Sequence, residues 1–227
     1  ANIKGGKTLA GFFNFFLYPV IGTFVVGTLM LFVVGKPVAL LNTGLTNWLN
    51  AMQGTNAILL GALIGAMVSF DLGGPVNKAA YAFCLGAMGN GNLIPYATFA
   101  SVKMVSAFTT TLVTKLKPKY FLEEERELGN STWILGLAGI TEGAIPVALN
   151  DPFRVLGSFV AGSMVTGAIV AYFKLGLGVP GAGILSMLFM NWNGAESSLM
   201  GGIVWFAAAL VGTVISTILL LILKGHK

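Results

Sequence analysis

The chain has 227 residues, of which 56% are hydrophobic and only 9% charged, with 31 glycines and a net charge of +5; an average soluble domain carries roughly 25% charged residues. The basic residues gather at the ends of apolar segments (Lys4 and Lys7; Lys115, Lys117, Lys119 and Arg126; Lys224 and Lys227), which is the positive-inside pattern of an integral membrane protein and excludes nucleic acid as a partner. One cysteine, Cys84, and one histidine, His226, exclude an internal disulfide and a Cys/His metal centre, so neither metal nor cofactor is expected.

No signal peptide is evident after Lys7, where the apolar stretch is too long and lacks a small-residue cleavage site. The chain, which opens at Ala1, reads as processed or as part of something longer. Residues 12–34 carry no charge and suffice to span a bilayer; Gly35-Lys36-Pro37 ends the run. Over 38–53 apolar residues recur at Val38, Leu41, Leu45, Trp48, Leu49 and Met52, with asparagine, threonine and glutamine between them. That spacing predicts a neutral amphipathic helix, lying at the interface or against other helices. Two short apolar runs follow, 56–70 and 79–88, separated by Asp71-Leu72-Gly73-Gly74-Pro75-Val76-Asn77-Lys78. Short pieces around a Gly-Gly-Pro break predict a broken or re-entrant element.

Gly89-Asn90-Gly91-Asn92 signals a turn, and 93–116 is a span with Lys103 inside it. The hydrophilic stretch that follows contains Glu123, Glu124, Glu125, Arg126 and Glu127. It reads as a solvated loop over 117–131, cytoplasmic by its lysines and arginines. Residues 133–149 are apolar except for Thr141-Glu142 and are interrupted by glycines and Pro146; Asn150-Asp151-Pro152 reads as a turn. Residues 155–173 form a span, 175–190 are again broken by glycine and proline, 191–196 are a polar connection, and 199–223 are wholly uncharged before Lys224. Two full spans, 155–173 and 199–223, return the chain to the side of the 117–131 loop. The pieces 133–149 and 175–190 then enter and leave on one side. The fold expected is an all-α integral membrane protein, a single membrane domain over 1–227, with about five or six membrane helices, interrupted or re-entrant hairpins and one amphipathic helix.

A charge inside a bilayer costs about 2.5–3.5 kcal/mol on insertion scales, so each needs a partner or a cavity. The candidates are Asp71, Lys78, Lys103, Glu142, Asp151, Arg154 and Glu196. Glu142 lies in Gly139-Ile140-Thr141-Glu142-Gly143-Ala144-Ile145-Pro146, where glycine and proline let the helix unwind. There a carboxylate can accept hydrogen bonds from sugar hydroxyls, or else pair with Lys78, Lys103 or Arg154. In Gly73-Gly74-Pro75-Val76-Asn77-Lys78 the glycines allow close backbone approach, while Asn77 and Lys78 offer donors to a hydroxyl; the alternative is a plain helix-breaking turn. Asp71 and Asp151, each beside a Gly/Pro break, suit capping or turn roles. Arg154 suits a helix-end anchor, and Cys84 a packing residue.

The segments DLGGPVNKAAYAF (71–83) and GITEGAIPVALNDPFRV (139–155), with EEERELG (123–129) and GTNAILLGALIGAM (54–67), resemble the fructose-type enzyme IIC domain of bacterial phosphotransferase systems over nearly the whole chain. The resemblance implies a permease of the bacterial inner membrane, multi-pass and homodimeric. It would translocate fructose or a fructose-like or mannosyl sugar while a partner IIB domain phosphorylates it. The phosphoryl group would arrive from phosphoenolpyruvate through enzyme I, HPr and the IIA domain. The domain itself would hold the sugar and carry no phosphorylated residue and no catalytic residue. By motif match, Thr141 and Glu142 would contact the sugar, with Gly74, Pro75, Asn77 and Lys78 nearby. The resemblance also implies membrane segments upstream of the region matched by Ala1, making this chain the C-terminal part of such a permease. Cys84, set in an apolar run, does not suit a phosphocysteine. Two readings from other classes remain: an ion- or proton-coupled secondary transporter in which Glu142 titrates, and a non-transporting permease fragment.

Overall fold

A computed structural model describes residues 13–29, 32–33, 35–37, 39–40, 43–44, 47, 57–181 and 183–225. It divides into two units, 1–43 and 44–227. In the first, a π-helical start, Phe13–Leu17, continues into α1, Tyr18–Leu29, within the expected span 12–34. The expected amphipathic helix 38–53 lies largely outside the described residues.

The second unit is helical almost throughout. Its helices are α2 (Ala57–Phe70), α3 (Pro75–Gly89), α4 (Ile94–Leu116), α5 (Glu123–Leu137), α6 (Ile145–Asn150), α7 (Pro152–Tyr172) and α8 (Leu199–Gly225). Two-residue strands β1 (Gly176–Leu177) and β2 (Met190–Asn191) pair antiparallel. By length and composition α7 and α8 can cross a membrane, while α1 and α2 are apolar but shorter. One face of α8 leaves Ile203, Val214, Ile218 and Ile222 about half exposed, as a lipid-facing helix would.

Small residues bring the helices together. A Cβ at Gly61 or Gly65 of α2 would overlap the Gly167 or Ser163 carbonyl of α7, and one at Gly162 of α7 would overlap the Gly212 carbonyl of α8. These pairings run α7 antiparallel to both neighbours. Buried hydrogen bonds accompany the close approach: Ser69 and Ser163 hydroxyls share one at 2.6 Å, Thr166 donates to the Ala208 carbonyl at 3.0 Å, and Trp205 Nε1 donates to the Ala97 carbonyl at 2.8 Å. One apolar cluster, including Ile64, Phe83, Tyr96, Val102 and Trp205, holds α2, α3, α4 and α8; a second, including Val113, Val147, Phe159 and Leu220, holds the opposite end.

Three segments do not run through. The chain turns at Leu72-Gly73-Gly74 between α2 and α3, so that this pair forms a hairpin returning to the start of α4. From the opposite end, α5 packs along α4 (Gly129 on Thr114, Gly136 on Ala107 and Phe108). It then breaks at 138–141, makes a 3₁₀ turn over Glu142–Ala144, and returns through the short α6. The return is anchored where Asn150 Nδ2 donates to Glu125 Oε1 at 3.0 Å. The third segment, β1 to β2, carries the 3₁₀ run Gly183–Phe189. It is tied to the start of α4 by Leu177 N–H on the Leu93 carbonyl and Gly181 N–H on the Tyr96 hydroxyl.

One expectation is corrected. Residues 117–131 are not a loop: after the 3₁₀ turn Pro118–Tyr120, the chain is helical from Glu123. Glu123, Glu124 and Glu125 occupy the first turn, where carboxylates complement the helix dipole, and Glu125 accepts the Leu122 N–H at 2.7 Å. The acidic run is a helix start.

Candidate functional site

The first and second breaks meet. Gly73 has φ +110, a conformation that side chains avoid, and a Cβ there would stand 2.7 Å from Glu142 Oε1. Sixty-nine residues apart in sequence, by subtraction of their numbers, the Gly-Gly-Pro turn and the glutamate are in contact. Gly139, with φ +75, lies at the same break; its α-carbon faces the Gly183 α-carbon and the Lys103 ammonium, so a Cβ would be 3.4 Å and 3.6 Å from them. Gly183 in turn abuts the Leu137 carbonyl and Ala138. All three interruptions therefore converge on one place beside Lys103. Lys103 lies about 14 Å along α4 from Ile94 at 1.5 Å per residue.

Within this junction the expected residues play distinct parts. Glu142 is exposed, and Thr141, buried, donates to its Oε2 at 3.3 Å. Among the described residues Glu142 has no cation within 4 Å; Lys103 is near enough to feel the charges of Glu142 and Lys78. Arg154, weighed as another partner for Glu142, instead faces Asp151 at 3.6 Å. Pro75 and Lys78 are exposed and Gly74 half-buried. Asn77 is 4% exposed and its amide donates to the Val68 carbonyl at 2.7 Å, so one of its donors is committed to the end of α2. Asp71 caps α3, accepting the N–H groups of Val76 (2.7 Å) and Asn77 (3.0 Å).

Sequence spacing could not have brought Gly139, Lys103 and Gly183 together. The signal that could have pointed to them is their type: a lysine inside a span, and glycines at two further interruptions. The junction offers an exposed carboxylate, a hydroxyl beside it, two ammonium groups and unwound backbone. That set can bind a polyhydroxylated ligand.

A second polar feature lies at the far end. Cavities of about 410 and 760 Å³ are lined there by Lys119, Tyr120, Asp151, Arg154 and Lys224. Lys224 sits 3.7 Å from Asp151 and 4.4 Å from the centroid of the Phe121 ring. Cys84 is fully buried, its thiol on the Pro95 carbonyl at 3.2 Å, as its packing role predicts.

Compared with known proteins, the chain is 64% identical over 216 residues to the PTS system 2-O-alpha-mannosyl-D-glycerate-specific EIIABC component of Escherichia coli (strain K12), covering 95% of this chain and 33% of that protein. It is 40% identical over 222 residues to a PTS system fructose-specific EIIB'BC component of Xanthomonas campestris pv. campestris, covering 98% of this chain and 37% of that one. It is 33% identical over 218 residues to the Fructose permease IIC component of Bacillus amyloliquefaciens, covering 96% of this chain and 68% of that one. The chain thus spans about a third of the length of the first two. No family model and no solved structure matches it.

Proposed function

This chain belongs to the fructose permease IIC family of the phosphotransferase system, and on that premise we propose that it moves a sugar across the bacterial inner membrane while a partner IIB domain, fed by IIA, phosphorylates it. The relatives whose names join A, B and C components support such partners. The substrate is a fructose-like or mannosyl sugar. The protein crosses the membrane several times, with about five or six helices and with the three interrupted segments entering as re-entrant pieces. It works as a homodimer in lipid.

The observation that carries the reading is the contact of Gly73 with the Glu142 carboxylate, where hairpins from opposite ends meet. In this mechanism Glu142 accepts two sugar hydroxyls, helped by Thr141, while backbone at 73–75 and the donors of Asn77 and Lys78 complete the site. The unwound segments expose it alternately to either side. No bond forms to the protein; phosphoryl transfer takes place on the sugar held at the cytoplasmic opening.

The experiment supplies membrane vesicles bearing this chain with phosphoenolpyruvate, enzyme I, HPr and matching IIA and IIB domains, and assays a panel of fructose-like and mannosyl sugars. Phosphorylated sugar should appear only with the chain present. Glu142→Gln loses charge-assisted hydrogen bonds and should lower the rate about thirtyfold or more. Uptake without phosphoenolpyruvate, or an unaffected Glu142→Gln protein, would overturn the reading.

A further inference from the structure

Lys103 is placed where an ammonium group has least reason to be. It is half-buried and well inside the 23-residue α4. Among the described residues its Nζ makes no hydrogen bond and has no carboxylate within 4 Å. Its contacts are the Phe99 ring, at 5.4 Å to the centroid, and the bare face of Gly139. The charges that face it are Glu142 and Lys78. Glu142 is turned to Gly73 and Thr141, and Asp71, the other carboxylate at the junction, has both oxygens on the N–H groups of α3. An ionisable group inside a membrane segment is a candidate functional group that calls for a partner.

A neutral sugar would bring no negative charge within hydrogen-bonding reach of that ammonium, and the Glu142 charge acts on it only from beyond 4 Å. Glycine at 139 puts no side chain against the ammonium, and glycine at 183 lets that segment approach the Leu137 carbonyl and Ala138. We propose that Lys103 is a specificity residue that binds the carboxylate of an acidic sugar, so that the substrate class is a glycoside bearing a carboxylic acid. Glu142 takes the hydroxyls on the Gly73 side, and Lys103 takes the acid on the Gly139 side. Glu142 and Lys103, of opposite charge, hold opposite ends of one ligand. This inference rests on the sugar-site reading above and names its substrate class.

The rival role for Lys103, a mere counter-ion that steadies Glu142, predicts equal losses for acidic and neutral sugars. The test is therefore a ratio. The purified chain in detergent is titrated calorimetrically with 2-O-α-mannosyl-D-glycerate and with its carboxamide, which differ only in charge. The wild type should prefer the acid about tenfold or more, the worth of one charge-assisted hydrogen bond. Lys103→Gln should bring the ratio near one, and Lys103→Arg should retain most of it. If Lys103→Gln does not fold, the wild-type ratio and Lys103→Arg still decide. Equal wild-type affinities for the pair, with fructose or methyl mannoside also bound, overturn this inference and leave sugar translocation standing. A ratio unchanged in Lys103→Gln overturns it likewise. A wild type that binds none of these sugars overturns both.

Discussion

A single methyl group at Gly73 is the smallest change that reaches the candidate site. The backbone there has φ +110, and the new Cβ would stand against Glu142 Oε1. Gly73→Ala should push the carboxylate aside and lower sugar affinity about tenfold or more, read by calorimetry, with helix content by circular dichroism unchanged. Combined with Glu142→Gln it should cost little more than either change alone, because both act on one carboxylate. Asp71 answers to a different measurement. Its carboxylate holds two N–H groups at the start of α3, so Asp71→Ala should cost about 1 kcal/mol of stability in thermal melts, and Asp71→Asn less. That capping role was legible in the sequence, since an aspartate before Gly-Gly-Pro has free amides ahead of it. The use of Asn77 was not: nothing in its neighbourhood told that its amide would turn back to the Val68 carbonyl. Nor could a separation of 69 positions in sequence tell that Gly73 and Glu142 touch.

Glycine acts differently between helices. Gly167 of α7 lies against Gly61 of α2 so closely that a Cβ on either would overlap the other's carbonyl. In lipid the apolar effect does not drive helices together, so this approach and the hydroxyl bonds beside it carry the pairing. Gly167→Val should destabilise the chain by about 1–3 kcal/mol, the usual cost of overpacking, seen as a lower melting temperature in detergent. Element boundaries were legible wherever hydropathy alone decides. The spans expected at 93–116, 155–173 and 199–223 are helices Ile94–Leu116, Pro152–Tyr172 and Leu199–Gly225. The second begins three residues early because Pro152 stands in its first turn, where a missing N–H costs nothing. The acidic run misled because charge reads alike in a solvated loop and in a helix's first turn; what separates them is Glu125 folding back onto the Leu122 N–H. The piece at 175–190 was legible as interrupted, but its short strand pair was not, since that depends on the partner at 190–191.

At the scale of the second unit, the two ends differ in how many lysines and arginines they carry, those of the one end standing among Glu123, Glu124, Glu125, Glu127 and Asp151. Lys115, Lys117, Lys119, Arg154 and Lys224 gather where α4 and α8 end and α7 begins. The other end, around residues 90–93 and 191–198, is neutral or acidic apart from Lys174. Two hairpins start from the end around residues 90–93 and one from the end rich in lysine and arginine, and they meet at Gly73, Gly139 and Gly183. Basic residues near membrane helix ends stay on the cytoplasmic side, so the proposed function predicts that the α5–α6 hairpin, with Glu142 at its tip, enters from the side where a phosphorylating partner would act. Labelling decides this. Cys84 is the sole cysteine and is buried, so a Cys84→Ala background accepts single reporters at two exposed positions, Lys117→Cys and Glu196→Cys. A membrane-impermeant maleimide applied to intact spheroplasts should label Glu196→Cys and leave Lys117→Cys untouched until the membrane is opened. The reverse pattern would put Glu142 on the outward-facing hairpin, and the sugar would then have to pass it before reaching any partner domain rather than be handed over from it.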